Sequence, residues 1–360
     1  MKVKLLIISL LITSVLGAQQ PRRVRIGGGP GEDRAKDWPK AVARPNMTET
    51  EVVAELRRYL DALVQRDLFS GSVLLAKGNS TLFLESYGMA DKEHYVPNTT
   101  DTKYNLGSIN KVFTQVALLQ LRDQGKIDFT KTLRTYLPDY PNALADRITI
   151  QQMMRHSSGL GDIFGPEYEA MPKEKLRTLR DYLPLFVDKP LEFEPGARTR
   201  YSNAGYILLG LVIEKLSGMS YDDYVRAKIF TPLAMNDTAA YAADAIVPKR
   251  ATGYTRGEDG VLCANTYMHP ARGSSAGGGY STVNDLLKFT RGANQVLSAQ
   301  AFEQMIGANP AVGWGGGAPG INAAIELGGG YTIIVLSNYS PPTASEVVKN
   351  VRQLVGIVEE

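Results

Sequence analysis

The two ends of this 360-residue chain mirror each other. Near the front, a helical pattern runs into two apolar stretches; near the back, two apolar stretches run into a helical pattern. Thr48 and Glu51 have the spacing of a capping box, with Met47 and Val52 placed as its hydrophobic staple. Val52, Leu56, Tyr59, Leu60 and Leu63 then recur at helical spacing. Residues 72–76 and 81–84 flank Lys77-Gly-Asn-Ser80, a hairpin signal. At the other end, residues 321–327 and 331–336 flank Gly328-Gly-Gly330, and Thr343 with Glu346 is expected to cap a helix carrying Val347, Val351, Leu354 and Val358. Apolar strands from both ends must pair and be covered. The simplest architecture is of α/β (α+β) class: an antiparallel sheet built from both chain ends and flanked by the terminal helices. Between about 140 and 290 strand character is scarce and helix-like stretches (206–216, 221–229, 284–292) dominate, so a mostly helical region is inserted and a cleft is expected where it meets the sheet.

The stretch Tyr104-Asn-Leu-Gly-Ser-Ile-Asn-Lys-Val-Phe-Thr114 carries the candidate chemistry. Val112, Val116 and Leu119, with Phe113, Ala117 and Leu121, mark a helix that Gly125 can stop. Ser108 and Lys111, three residues apart, would share a face at its N-terminus, where unpaired N–H groups and partial positive charge collect. Burial lowers a lysine pKa, so the amine can serve as base to the hydroxyl. Chance alone gives roughly one Ser-x-x-Lys in a chain this long, so the pair needs support from elsewhere.

That support begins at Tyr201-Ser-Asn203, which follows Phe193-Glu-Pro-Gly196 and leads directly into an apolar helix pattern. A phenol and an amide are thus presented at a loop-to-helix junction. A tyrosine beside a lysine ammonium can have a lowered pKa and relay a proton, and the Asn203 amide can bind the lysine or a substrate carbonyl. Tyr140-Pro-Asn142 has the same spacing but sits between prolines and reads as a turn.

Formal net charge is +3 with no dense basic block outside the N-terminal segment, which argues against nucleic-acid binding. Three dispersed histidines make a metal site improbable, no cofactor is indicated, and the lone Cys263 excludes an internal disulfide and reads as a buried apolar residue. Residues 1–18 have the short basic start, apolar core and small residues of a secretory signal, so an exported protein is expected, without stable membrane insertion after cleavage. Residues 19–46, rich in Pro, Gly and charge, read as a flexible linker, leaving one domain over 47–358.

Taken together, Ser108-Ile-Asn-Lys111 and Tyr201-Ser-Asn203 resemble motifs of the serine β-lactamase and penicillin-binding-protein superfamily, in the branch of class C β-lactamases, D-alanyl-D-alanine carboxypeptidases and family VIII esterases. His156-Ser-Ser-Gly-Leu160, the block from Tyr201 through Gly218, Ile229-Phe-Thr-Pro-Leu233 and Gly277-Gly-Gly-Tyr-Ser-Thr-Val-Asn-Asp-Leu286 extend the resemblance over about residues 50 to 355. It implies that Ser108 attacks a carbonyl and forms an acyl-enzyme, that Lys111 and Tyr201 shuttle the proton, and that water deacylates. It also implies substrates that are small esters, peptides or β-lactams. The chain departs at the third motif, where the family usually has Lys-Thr-Gly or His-x-Gly. Here Gly313-Trp-Gly-Gly-Gly-Ala-Pro-Gly320 puts Trp314 in the place of the cation. Aligned so, Gly316 and Gly317 border the substrate, Gly317 supplies the second oxyanion N–H, and Trp314 lines the same site. An uncharged ester is then favoured over a carboxylate-bearing substrate.

Other readings fare less well. Gly273-Ser-Ser-Ala-Gly277 matches a nucleophile elbow, but Pro270 precedes it, glycines follow it and no histidine lies beyond His269. His156 is better placed to fix a turn than to act as base, and 313–320 lacks the Gly-Lys-Ser/Thr of a phosphate loop. The rival of another class is a weak or inactive module that keeps the fold to bind peptidoglycan or another ligand.

Overall fold

A computed structural model describes residues 35–257, 259–307 and 311–357. The expected signal sequence, the first part of the expected linker and Val358 lie outside the described residues. The Thr48 capping box forms: Thr48 Oγ1 accepts the Glu51 N–H at 3.3 Å and the Glu51 carboxylate accepts the Thr48 N–H at 2.8 Å, opening helix α1 (Glu49–Gln65). Two hairpins follow the glycine signals, β1 (Gly71–Lys77) with β2 (Ser80–Tyr87), and β10 (Ile321–Gly328) with β11 (Tyr331–Ser337). With β9 (Ala311–Ala318) they form one antiparallel sheet in the order β2-β1-β11-β10-β9. The pairing of β1 with β11, from Gly71 opposite Ser337 to Lys77 opposite Tyr331, joins the front of the chain to its back.

Alternation along these strands fills two cores. Val73, Leu75, Ile333 and Val335 face α1 and the C-terminal helix α7 (Thr343–Leu354). Leu74, Ala76, Ile334, Leu336, Ala323 and Ile325 face the inserted region. Both faces are buried, each large side chain contributing about 1.5–3 kcal/mol on leaving water. The inserted region is mostly helical, as expected. Its elements used below are α2 (Asn110–Asp123), α3 (Ile150–Met154), α4 (Asn203–Ser217), α5 (Tyr221–Val225) and α6 (Val283–Val296). Three short strand pairings and some isolated bridges supplement the helices only locally: β3 (Met89–Asp91) with β4 (Val96–Pro97), β5 (Tyr104–Asn105) with β8 (Tyr280–Ser281), and β6 (Tyr254–Arg256) with β7 (Leu262–Ala264).

Three expectations need correction. Cys263 lies on β7 and is exposed, because the β6–β7 hairpin is a two-stranded ribbon at the surface. Residues 35–46, expected as linker, pack on the terminal helices: the Ala41 N–H donates to Asn350 at 2.9 Å, and Arg58 and Arg66 donate to the carbonyls of Lys40 and Asp37 at 3.1 and 2.9 Å. Thr343 and Glu346 do not form a capping box. Pro342 occupies the N-cap position, and the Thr343 hydroxyl turns inward to Ser337 and Ser340. The cap comes instead from β10, where Asn322 Oδ1 accepts the N–H groups of Ala344 at 2.7 Å and Ser345 at 3.3 Å while its Nδ2 donates to the Gly316 carbonyl at 3.1 Å.

Asn322 is buried, so Asn322→Ala strands two helix N–H groups and one strand carbonyl. A loss of about 1–3 kcal/mol is expected, read as a lowered urea midpoint; an unchanged midpoint refutes the capping role.

Candidate active site

The Ser108 turn is shaped by its neighbours before any chemistry is considered. Gly107, at φ +52°, turns the chain from β5 into a short 3-10 turn (Gly107–Ile109) that continues as α2. Asn105 Oδ1 accepts the Gly107 N–H at 2.9 Å, and the Leu106 N–H donates to Gly279 at 2.7 Å. The free edge of β9 comes up against this turn backbone to backbone. A Cβ on Gly316 would lie 1.8 Å from the Leu106 carbonyl oxygen and 2.9 Å from the Ser108 nitrogen, and one on Gly107 would lie 2.9 Å from the Gly317 nitrogen. Only glycine fits there, which explains a glycine run in a strand. Gly316 and Gly317 therefore lie against the turn that carries Ser108. Trp314 goes elsewhere: it is buried in the core, with its ring 6.2 Å from that of Phe289.

Ser108 Oγ is bracketed by two side chains. The Tyr201 hydroxyl donates to it at 2.6 Å, and Lys111 Nζ lies 3.4 Å away. Lys111 is fully buried; Nζ donates to Asn203 Oδ1 at 2.7 Å and to the Ala276 carbonyl, and it sits 4.8 and 5.3 Å from the ring centres of Tyr201 and Tyr206. The Ala276 carbonyl belongs to the 273–279 loop, which contains the elbow-like Gly273-Ser-Ser-Ala-Gly277. That loop instead clamps α2: Ser274 and Ser275 carbonyls accept from Asn110 Nδ2 at 3.1 Å and Thr114 Oγ1 at 2.8 Å.

Tyr201 and Asn203 owe their positions to the start of α4. The Ser202 hydroxyl caps that helix, accepting the Gly205 N–H at 3.2 Å and donating to the Gly161 carbonyl at 2.7 Å. His156 Nδ1 accepts the Ser202 N–H at 3.2 Å, and its ring stacks on Tyr201 with centroids 4.5 Å apart. Burial and the Lys111 charge push the His156 pKa down to about 3, so it is a neutral brace and not a base for Ser108. Asn203 Nδ2 donates to both oxygens of Asp162, at 2.9 and 3.1 Å. Asp162 is the one site residue that sequence reasoning missed; its only signal is its place two residues after the His156-Ser-Ser-Gly-Leu160 motif. Tyr140 and Asn142 serve folding, Tyr140 in the core and Asn142 as cap of a short 3-10 turn.

Protonation follows from burial. Desolvation drives the Lys111 ammonium down to about 7, against an opposing pull from the Asp162 charge. The lowered Tyr201 pKa expected from sequence is corrected: burial raises it well above the ordinary phenol value, with Asp162 adding to the rise and the Ser108 hydrogen bond opposing it. At neutral pH the site thus holds a phenol that donates and an amine poised to accept. Such a pair can take a proton from Ser108 on one side and return one to a leaving group on the other. Among the described residues no cluster of three or more His, Cys, Asp or Glu is arranged to hold a metal ion, and no helix is long and apolar enough to cross a membrane.

Residues 56–310 match the Beta-lactamase family, and the chain belongs to this family of β-lactamase and penicillin-binding-protein-like serine hydrolases. It is 31% identical over 217 residues to penicillin-binding protein 4* of Bacillus subtilis, covering 60% of this chain and 47% of that one, so it spans about half the length of that relative. Among solved structures it is similar to a penicillin-binding protein from Bacillus halodurans (TM-score 0.75, 29% identity, 82% of this chain and 99% of that). It shares its fold with a class C beta-lactamase (TM-score 0.69, 17% identity, 89% and 99%).

Tyr201→Phe removes the donor to Ser108 and keeps the ring that stacks on His156. Acylation of Ser108 is expected to fall about 10²–10⁴-fold with the thermal midpoint nearly unchanged; an unimpaired rate excludes the phenol from the proton path. In the unaltered protein the rate of Ser108 acylation by a reactive probe is expected to rise as pH climbs through about 7 and to level above it, since the neutral form of Lys111 accumulates there. A rate already flat from pH 5 to 9 would contradict Lys111 as the base.

Proposed function

We propose that this protein hydrolyses small uncharged esters through an acyl-enzyme on Ser108. The observation that carries the reading is the bracket around Ser108 Oγ, a buried amine on one side and a protonated phenol on the other. Neutral Lys111 takes the Ser108 proton as Oγ bonds to the substrate carbonyl carbon. The carbonyl oxygen becomes an oxyanion between the N–H groups of Ser108 and Gly317. The intermediate then collapses, the C–O bond to the alcohol breaks, and the alcohol oxygen receives a proton through Tyr201, which is reprotonated from Lys111. Water repeats the sequence on the acyl-enzyme, releasing the acid and restoring Ser108.

Preference for an uncharged ester over a β-lactam or peptide carboxylate is supported by β9. From Ala311 to Ala318 it carries no cationic side chain, and Trp314 spends its bulk in the core. The same lack of a cation favours, as a second reading, a module that binds peptidoglycan or another ligand without turnover. Against that reading, burying a lysine costs several kcal/mol and gains a binding protein nothing. The leader-like residues 1–18 support action outside the cytoplasm, on small-molecule substrates.

The test is intact-protein mass spectrometry after exposure to a fluorophosphonate, with parallel assays on a short-chain aryl ester and a penicillin. One adduct on Ser108 is expected, with ester turnover exceeding penicillin turnover. Ser108→Ala should lose the adduct and at least about a thousandfold of the hydrolysis. Hydrolysis that survives in that variant overturns the assignment, and no adduct on folded protein moves the reading to the binding module.

A further inference from the structure

One segment, residues 156–162, touches each member of Tyr201-Ser202-Asn203 in turn. His156 stacks on Tyr201 and accepts from the Ser202 N–H, Gly161 accepts from the Ser202 hydroxyl, and Asp162 accepts from Asn203. The first two contacts hold backbone and ring. The third is of a different kind, because it is a charge placed one side chain away from the reacting amine.

We propose that Asp162 is a positioning residue for the Ser108 reaction: it holds the Asn203 amide with its oxygen toward Lys111 and acts across that amide as the counter-charge of the ammonium. The argument starts from the symmetry of an amide. Its oxygen and nitrogen ends are nearly the same size, so only their partners decide which way it points. Lys111 Nζ has protons to give and needs the oxygen; a carboxylate can only accept and claims the nitrogen with both oxygens, at 2.9 and 3.1 Å. Asp162 is fixed in turn by the Ile163 N–H, which donates to Oδ1 at 2.7 Å. Without Asp162, Nδ2 has no acceptor and the amide is free to turn its donor toward Lys111.

The groups facing Lys111 sharpen the assignment. From its own helix and the turn that leads into it come the positive end of α2 and the Ser108 hydroxyl; from the lead-in to α4 the neutral Tyr201 ring, and from α4 the Tyr206 ring and the Asn203 oxygen; from the 273–279 loop the Ala276 carbonyl; from the 156–162 segment neutral His156 and Asp162. Asp162 is the carboxylate in this set; burial pushes its pKa up, opposed by the hydrogen bonds from Asn203 and Ile163 and by the Lys111 charge. In its ionised form it keeps the ammonium accessible in a site that otherwise expels it, so the amine can both accept the serine proton and carry it until the leaving group needs it.

The inference rests on the proposed Lys111 chemistry, and its test is read without turnover. In full-length protein with 13C-labelled lysine, the Lys111 Cε resonance is followed across pH in the unaltered chain and in Asp162→Asn, Asp162→Ser and Asp162→Glu. Loss of the anion is expected to move the titration down by about one unit, a tenfold change in the protonation constant, with Asp162→Glu restoring most of it. In the acylation assay the ratio of Asp162→Asn to unaltered rate should then rise several-fold between pH 8 and pH 5.5, whereas a merely structural role leaves that ratio constant. A Lys111 titration that stays in place in both uncharged variants overturns the proposal. If Ser108 does not acylate in the unaltered protein, the functional reading fails while the titration still decides on Asp162.

Discussion

An ionisable amine with no exposure to water is the constraint around which the site is arranged. Taking the Lys111 ammonium out of solvent costs several kcal/mol, and among the described residues no carboxylate touches it directly to offset that. Compensation is distributed: an amide oxygen from the start of α4, a main-chain carbonyl from the 273–279 loop, two aromatic faces and a carboxylate beyond the amide. They come from the start of α4 and its lead-in, from the 273–279 loop and from the 156–162 segment, so the cost is met only when α2, α4 and both loops are assembled together. Incomplete compensation is itself useful here, since it leaves the amine near its point of proton exchange.

The sheet serves the same end from the other side. Its edge strand β9 gives up side chains at 315–317 so that main chain can lie against main chain at Ser108. The strand is held down by Asn322, which also caps α7, and by Trp314 in the core beside Phe289. A strand poor in side chains is weak by propensity; its place is secured by β10 and by those two anchors.

Much of this was legible in the sequence because it is periodic or local. The Thr48 box, both glycine hairpins and the α2 pattern are short-range signals that packing did not override. Ser108 with Lys111 and Tyr201 with Asn203 were found because chemistry demands fixed spacing within each pair. What escaped was long-range. Asp162 is a single loop carboxylate whose role exists only through Asn203, 41 residues on. Asn322 caps a helix 22 residues away, a contact no local pattern encodes, while the Thr343 signal came to nothing because Pro342 already held the cap position. The direction of the Tyr201 shift failed for a related reason: a charge nearby was visible in the motif, whereas the depth of burial that outweighs it is a property of the assembled core.

The β1–β11 pairing has a bearing on how the protein comes into being. As a ribosome releases the chain, β1 and β2 emerge more than two hundred residues ahead of the strand that must lie beside them. Until residue 337 is out, the β1–β2 hairpin and the β9–β10 pair that flanks Ser108 lack the strand that joins them. The arrangement around Ser108 is therefore incomplete in any nascent or truncated product that stops short of residue 337.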